Sequence, residues 1–120
     1  QGITHHAISA LLMGADGYVP ALAPLFPELY VEAYEAGISG DVQRARIYDR
    51  LLAESMVLMT QTANATAAVK YALSTLGFTD KRVIAPQDGI RPEEEAAMDR
   101  QIEVVRALHD QVRKGLDPWN

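Results

Sequence analysis

The 120-residue sequence contains no cysteine, which excludes disulfides, thiolate metal sites and a cysteine nucleophile. Positive charge is also in short supply. Eleven Lys and Arg stand against sixteen Asp and Glu, for a formal net charge of −5 and a pI near 5.1. A nucleic-acid binder needs a basic face to neutralise phosphates, so no nucleic-acid partner is expected. A helix-turn-helix reading would suit the helix content but not this charge. Long hydrophobic runs are missing as well. Gly and Pro break the uncharged stretches, and none resembles a membrane span, so no membrane partner is expected. The first residues, Gln1-Gly2-Ile3-Thr4-His5-His6, lack a basic start and a cleavage pattern. They also lack an initiator Met. The expectation is a cytoplasmic chain that has been cut, truncated or only partly represented.

What is present is ordinary for a globular protein: 48% hydrophobic and 22% charged residues, enough for one modest core. The stretch from Gly14 to Pro27 organises the rest. It holds turn glycines, a short apolar run and a proline-punctuated loop that opens a helix. A short apolar run between Gly and Pro reads as a strand covered on both faces, here Gly17 to Leu22. Pro20 would cost it one ladder bond and belongs near its end. Side chains alternate along a strand, so Val19 and Ala21 share one face, expected to line a cavity, while Tyr18 and Pro20 share the other.

Nearly everything else reads as helix. Ile3, Ala7, Ile8, Leu11 and Leu12 have helical spacing, with Thr4 as a cap and Gly14 as a stop. Pro27 opens the next helix, Phe26, Leu29, Tyr30, Ala33 and Tyr34 form its buried stripe, and Gly37 ends it. Asp41 caps a long helix to Thr60, with Val42, Ala45, Tyr48, Leu52, Met56 and Met59 along one face. Asn64 caps a shorter helix through Leu76, ended by Gly77, and residues 78–91 read as a loop. Pro92 begins a last helix to Lys114, acidic at its start and basic at its end, as the macrodipole favours. The three last helices are expected to pack as one antiparallel group, and the tail from Leu116 to Asn120 to be loosely held.

A lone strand among helices has no ladder partner, so the chain reads as part of a larger fold. The ordered series Gly14-Ala15-Asp16-Gly17, Pro27-Glu28-Leu29, Gly40-Asp41 with Ala45-Arg46, Lys70-Tyr71-Ala72-Leu73 with Gly77, and Pro86 resembles the carboxyl-terminal part of the dihydrodipicolinate synthase and N-acetylneuraminate lyase family. The resemblance runs from about Gln1 to Leu108. It implies a mainly α segment of a (β/α)8 TIM barrel: the end of strand seven at Gln1-Gly2, helix seven over residues 3–13, strand eight over 17–22 and helix eight over 27–36. Three extra carboxyl-terminal helices follow. The implied division is 1–37 for the final β/α units, 38–115 for the helical extension and 116–120 for the tail.

The chemistry implied by the resemblance is that of a class I aldolase with no cofactor. A lysine forms a Schiff base with pyruvate or another 2-oxo acid, and a tyrosine shuttles protons. In the family both lie upstream of the segment matched here, so no catalytic residue is expected in this chain. The resemblance does imply substrate-binding positions. Gly2 matches a glycine whose backbone lies near the substrate, and Val19 an apolar residue beside the Schiff base. Thr4 and His5 fall where sialate-cleaving members carry acidic residues, and Ala21 where they carry a serine. Neither carboxylate is present, which argues against a sialic acid substrate. It further implies a homotetramer built as a dimer of dimers.

Each of these residues also has a plainer reading. Thr4 can be a helix cap alone. His5 and His6, as helical neighbours, point about 100° apart and are poorly placed to share an ion, so no metal site is expected. His109 stands among solvated charges and reads as surface. Lys70 reads as an ordinary amphipathic-helix lysine, and the Tyr30, Tyr34 and Tyr48 set as packing. The competing function is a non-catalytic helical module whose apolar faces serve assembly.

Overall fold

The computed structural model describes residues 1–120. A 3-10 turn, η1 (Thr4–His6), runs into a short helix α1 (Ala7–Leu12). Four longer helices follow: α2 (Pro27–Ile38), α3 (Val42–Thr60), α4 (Ala65–Thr75) and α5 (Pro92–Arg113). The helix starts follow local chemistry. The Asp41 carboxylate accepts from the Arg44 N–H at 3.0 Å, and the Asn64 side chain accepts from Thr66 and Ala67 N–H at 3.0 and 3.2 Å. Pro27 and Pro92 occupy the first turn of α2 and α5, where a missing N–H costs nothing. At Arg91, the Glu94 carboxylate closes the start of α5 by accepting from the Arg91 N–H at 2.8 Å.

The long helix α3 is the hub. It packs against α2, α4, α5, α1 and η1, and α4 also meets α5, so the last three helices form one mutually packed group. A single apolar cluster runs from Ala7 and Ile8 through Leu29, Ala33, Tyr48, Leu51, Leu52 and Leu58 to Met98, Ile102 and Val105. The tail expected to be loosely held packs Trp119 against this cluster, with the Arg50 guanidinium 5.6 Å over the indole ring.

Three expectations are corrected. Residues 17–22, expected as strand eight, are not a strand: the chain is irregular to Pro20 and turns from Ala21. A strand is defined by ladder bonds and, apart from the turn that follows, the only segment bonded to this stretch from main chain to main chain is Gln1. The helix expected over 3–13 is split, tightening to a 3-10 turn over its first residues. Gly37 does not end α2, which continues to Ile38. It is a buried crossing point, where an added Cβ would come 2.8–2.9 Å from the Leu11 side chain of α1. The helix ends at Ile38 with Ser39 as its cap, and Gly40 follows with a φ of 75°, a conformation open to glycine and costly for other residues.

Candidate functional site

The first residues and the stretch 16–19 lie side by side. The Gln1 amino group donates to the Gly17 carbonyl at 3.0 Å, and the Val19 N–H donates to the Gln1 carbonyl at 2.9 Å. One residue flanked by donations of this kind is the hydrogen-bond pattern of parallel strands. Alternation then sends Tyr18 and Val19 to opposite sides. Tyr18 turns toward α2, where its ring lies 6.1 Å from that of Tyr30 and its hydroxyl donates to the Tyr30 carbonyl. Val19 is 84% exposed.

Of the expected site residues, Gly2, His5, Val19 and Ala21 are all exposed, while Thr4 is buried in the core. The contacts to Gln1 bring Gly2 beside Val19. Thr4 is turned away from solvent. Among the lining residues of the larger clefts, none of the five appears. The most apolar cleft, about 340 Å³, lies on the Tyr18 and Pro20 side and is completed by Gly17, Ala23, Pro27, Tyr30, Val31 and Tyr34.

Beneath this edge runs a buried polar chain that sequence reasoning took for packing. The Ser55 hydroxyl on α3 is fully buried and donates to the Leu52 carbonyl at 2.7 Å. Its oxygen lies 2.8 Å from the Tyr30 hydroxyl, which must therefore be the donor of that bond. Burial pushes the Tyr30 phenol up, held back in part by its bond to Ser55. Tyr18 is pushed up by burial and then by neighbouring Tyr30, so both phenols stay protonated donors at neutral pH. Tyr34 adds a bond from its hydroxyl to the Asp16 carbonyl at 3.3 Å. The one available signal in the sequence was Ser55 itself, a hydroxyl set within an otherwise apolar helical stripe.

A second polar cluster corrects the surface assignment of His109. Its Nε2 lies 2.7 Å from the Glu32 carboxylate, which also accepts from the Tyr48 hydroxyl at 2.9 Å and forms an ion pair with Arg113, whose Nε is 3.2 Å away. Burial alone would raise the Glu32 pKa. The bonds from His109 and Tyr48, with the charges of His109 and Arg113, outweigh that and hold it below the usual value. This cluster joins α2, α3 and α5, away from the edge at Gln1 and Val19. The lysines are elsewhere too: Lys70 is half-buried on α4, Lys81 pairs with Glu95, and Lys114 caps α5.

The two bonded segments thus lie against α2 through Tyr18 and leave Gly2, Val19 and Ala21 exposed, with no closed site around them. The model of the dihydrodipicolinate synthetase family matches residues 1–105, and the chain belongs to that family. It is 31% identical over 109 residues to a 4-hydroxy-tetrahydrodipicolinate synthase of Methanopyrus kandleri, covering 90% of this chain and 36% of the relative. Its fold matches a dihydrodipicolinate synthase of Bacteroides thetaiotaomicron with a TM-score of 0.79 at 27% identity, over 86% of this chain and 36% of the other. It also matches YagE, an Escherichia coli K12 prophage protein of the dihydrodipicolinic acid synthase family captured with pyruvate. That TM-score is 0.76 at 22% identity, over 88% of this chain and 36% of YagE. The chain thus spans about a third of the length of the relatives it matches.

Proposed function

We propose that this chain is the carboxyl-terminal third of a Schiff-base-forming lyase acting on pyruvate or another 2-oxo acid. Residues 1–37 would be the last units of its TIM barrel, and 38–115 a helical extension. The observation that carries the reading is the pair of backbone bonds between Gln1 and Gly17–Val19, in the pattern that neighbouring barrel strands require. The Tyr18 N–H and carbonyl, which point to the opposite edge, are left for a further strand. Val19 and Ala21 would then face the barrel interior, with Gly2 and His5 at the mouth where barrel enzymes keep their chemistry. The family and the pyruvate-bound neighbour support the substrate class.

In this proposal the Schiff-base lysine and the proton-shuttling tyrosine lie on polypeptide beyond these 120 residues, and the chain alone has no lyase activity. A nucleophilic lysine needs a closed, dry site, and none of Lys70, Lys81 and Lys114 has one. Incubation with pyruvate and borohydride tests this. The chain alone should gain no mass on any lysine, while the intact polypeptide should be labelled on a lysine outside it. Saturable labelling of Lys70 would overturn the assignment.

The reading of a non-catalytic assembly module draws on a different place, the 76–91 loop, where Phe78 and Ile84 stand exposed. It is separated from the first by the same labelling experiment on the intact protein. A cytoplasmic homotetramer, built as a dimer of dimers, completes the proposal and is checked by sedimentation. No helix is long and apolar enough to cross a membrane.

A further inference from the structure

We infer that Tyr18 and Tyr34 are positioning residues, whose hydroxyls hold the segment bearing Val19, and with it Gly2, at a fixed height on α2. The inference rests on the lyase reading above and deepens it. Residues 1–3 and 15–20 have no regular structure of their own. Bonds to other elements must therefore set where Gly2 and Val19 stand.

The two hydroxyl bonds are reciprocal. Tyr18 of the segment donates to the Tyr30 carbonyl on α2, and Tyr34 of α2 donates to the Asp16 carbonyl of the segment at 3.3 Å. Their spacings agree. Asp16 and Tyr18 are two residues apart, about 6.6 Å in extended chain. Tyr30 and Tyr34 are about one helical turn apart, about 6 Å along the axis. The segment thus runs antiparallel to α2 and is tied to it at two heights, which fixes its position along the helix as well as its distance from it. The Tyr18 and Tyr30 rings pack beside these ties, 6.1 Å apart.

The segment in turn carries Gln1. The Gln1 amino group donates to the Gly17 carbonyl at 3.0 Å, and the Val19 N–H donates to the Gln1 carbonyl at 2.9 Å. The Gln1 side-chain carbonyl accepts from the Ile3 N–H at 2.8 Å, so Gly2 sits between two bonded residues. A shift of residues 16–18 on α2 is therefore passed to Val19 directly and to Gly2 through Gln1.

The test uses the intact lyase with Tyr18→Phe, Tyr34→Phe and the double variant, which remove hydroxyls and keep rings. Tyr71→Phe is the control, because its hydroxyl bond of 2.9 Å to Asp99 joins α4 to α5 instead. Losing one hydrogen bond corresponds to about a two- to tenfold change in an equilibrium. We expect KM for pyruvate to rise by about that factor in Tyr18→Phe, and by less in Tyr34→Phe, whose bond is more exposed. In both, kcat should stay within about twofold, since no reacting group is removed. The double variant should be worse than either single one, because two separate bonds hold one segment. Amide exchange at Val19 should quicken in all three. Tyr71→Phe should keep the wild-type KM and Val19 exchange even where its melting temperature falls. The inference is overturned by an unchanged KM or unchanged Val19 exchange in Tyr18→Phe, by a double variant no worse than Tyr18→Phe, or by an equal rise of KM in Tyr71→Phe. If the wild type forms no borohydride-trapped adduct with pyruvate, the lyase reading falls. The exchange measurement then still decides whether the two tyrosines hold the segment.

Discussion

Residues 1–26 and residues 42–113 are built on different principles. The second region is helices with side-chain caps, wide apolar stripes and a shared core around Leu51, Leu52 and Leu58. The first region holds its shape through bonds between segments far apart in sequence, within it from Gln1 to Gly17 and Val19 and to α2 from Tyr18 to Tyr30 and Asp16 to Tyr34. It leaves Ile3, Met13 and Val19 in solvent, all of them large apolar side chains. A region that satisfies its own backbone folds as a local matter. A region that borrows its partners keeps an unfinished surface, and here that surface includes the positions proposed to meet substrate.

Putting the same charge into each region should expose the contrast at its largest. Leu52 is 1% exposed on the hub helix, and Leu52→Asp would bury an unpaired carboxylate, costing about 4 kcal/mol or more. The same substitution at Val19 should change the stability of the isolated chain by about 0.5 kcal/mol or less. Urea denaturation of both variants reads the difference. Near-equal effects would mean that the hub is not the core, or that Val19 is not free.

A smaller effect is expected where the two regions meet. Gly37→Ala would place a Cβ within 2.8–2.9 Å of Leu11. Overpacking costs about 1–3 kcal/mol, and roughly 1 kcal/mol is returned by alanine's better helix propensity. The net loss should appear in a thermal melt. In a double-mutant cycle with Leu11→Gly, which removes the contacting atoms, the combined loss should be smaller than the sum of the separate ones. Fully additive losses would place the strain elsewhere.

The mildest expected effect belongs to the cluster around Glu32, which secures α5 to α2 and α3. Its carboxyl is held below the ordinary value in the folded protein, so the unfolded state takes up a proton first on acidification. The stabilisation is complete above the unfolded glutamate pKa, about 4.3, and is lost as pH falls through the lower folded value. Melting temperatures of the wild type and Glu32→Gln should therefore differ at pH 7 and draw together toward pH 3. A gap that persists unchanged across that range would assign the effect to packing instead of charge.

Much of the helical region was legible because its signals are local. Asp41 and Asn64 cap the helices they were expected to cap, and Pro27 and Pro92 start theirs. The family was legible too, from an ordered series of turns and helix starts. The candidate site was far less so. Thr4 could be read as a cap or as a substrate contact, yet it is buried, and no local signal paired Ser55 with Tyr30.

By itself the sequence determined where α2 to α5 begin, most of the positions they bury and which family they belong to, because caps, prolines and apolar spacing act within a few residues. Tertiary structure alone decided that Gly37 is a crossing point instead of a stop, since the space above a glycine depends on what another helix puts there. It alone turned His109 inward to Glu32, a residue 77 positions away. It alone decided that residues 17–22 would not form a strand in this chain. A ladder is made by two strands, and no local pattern can supply the second.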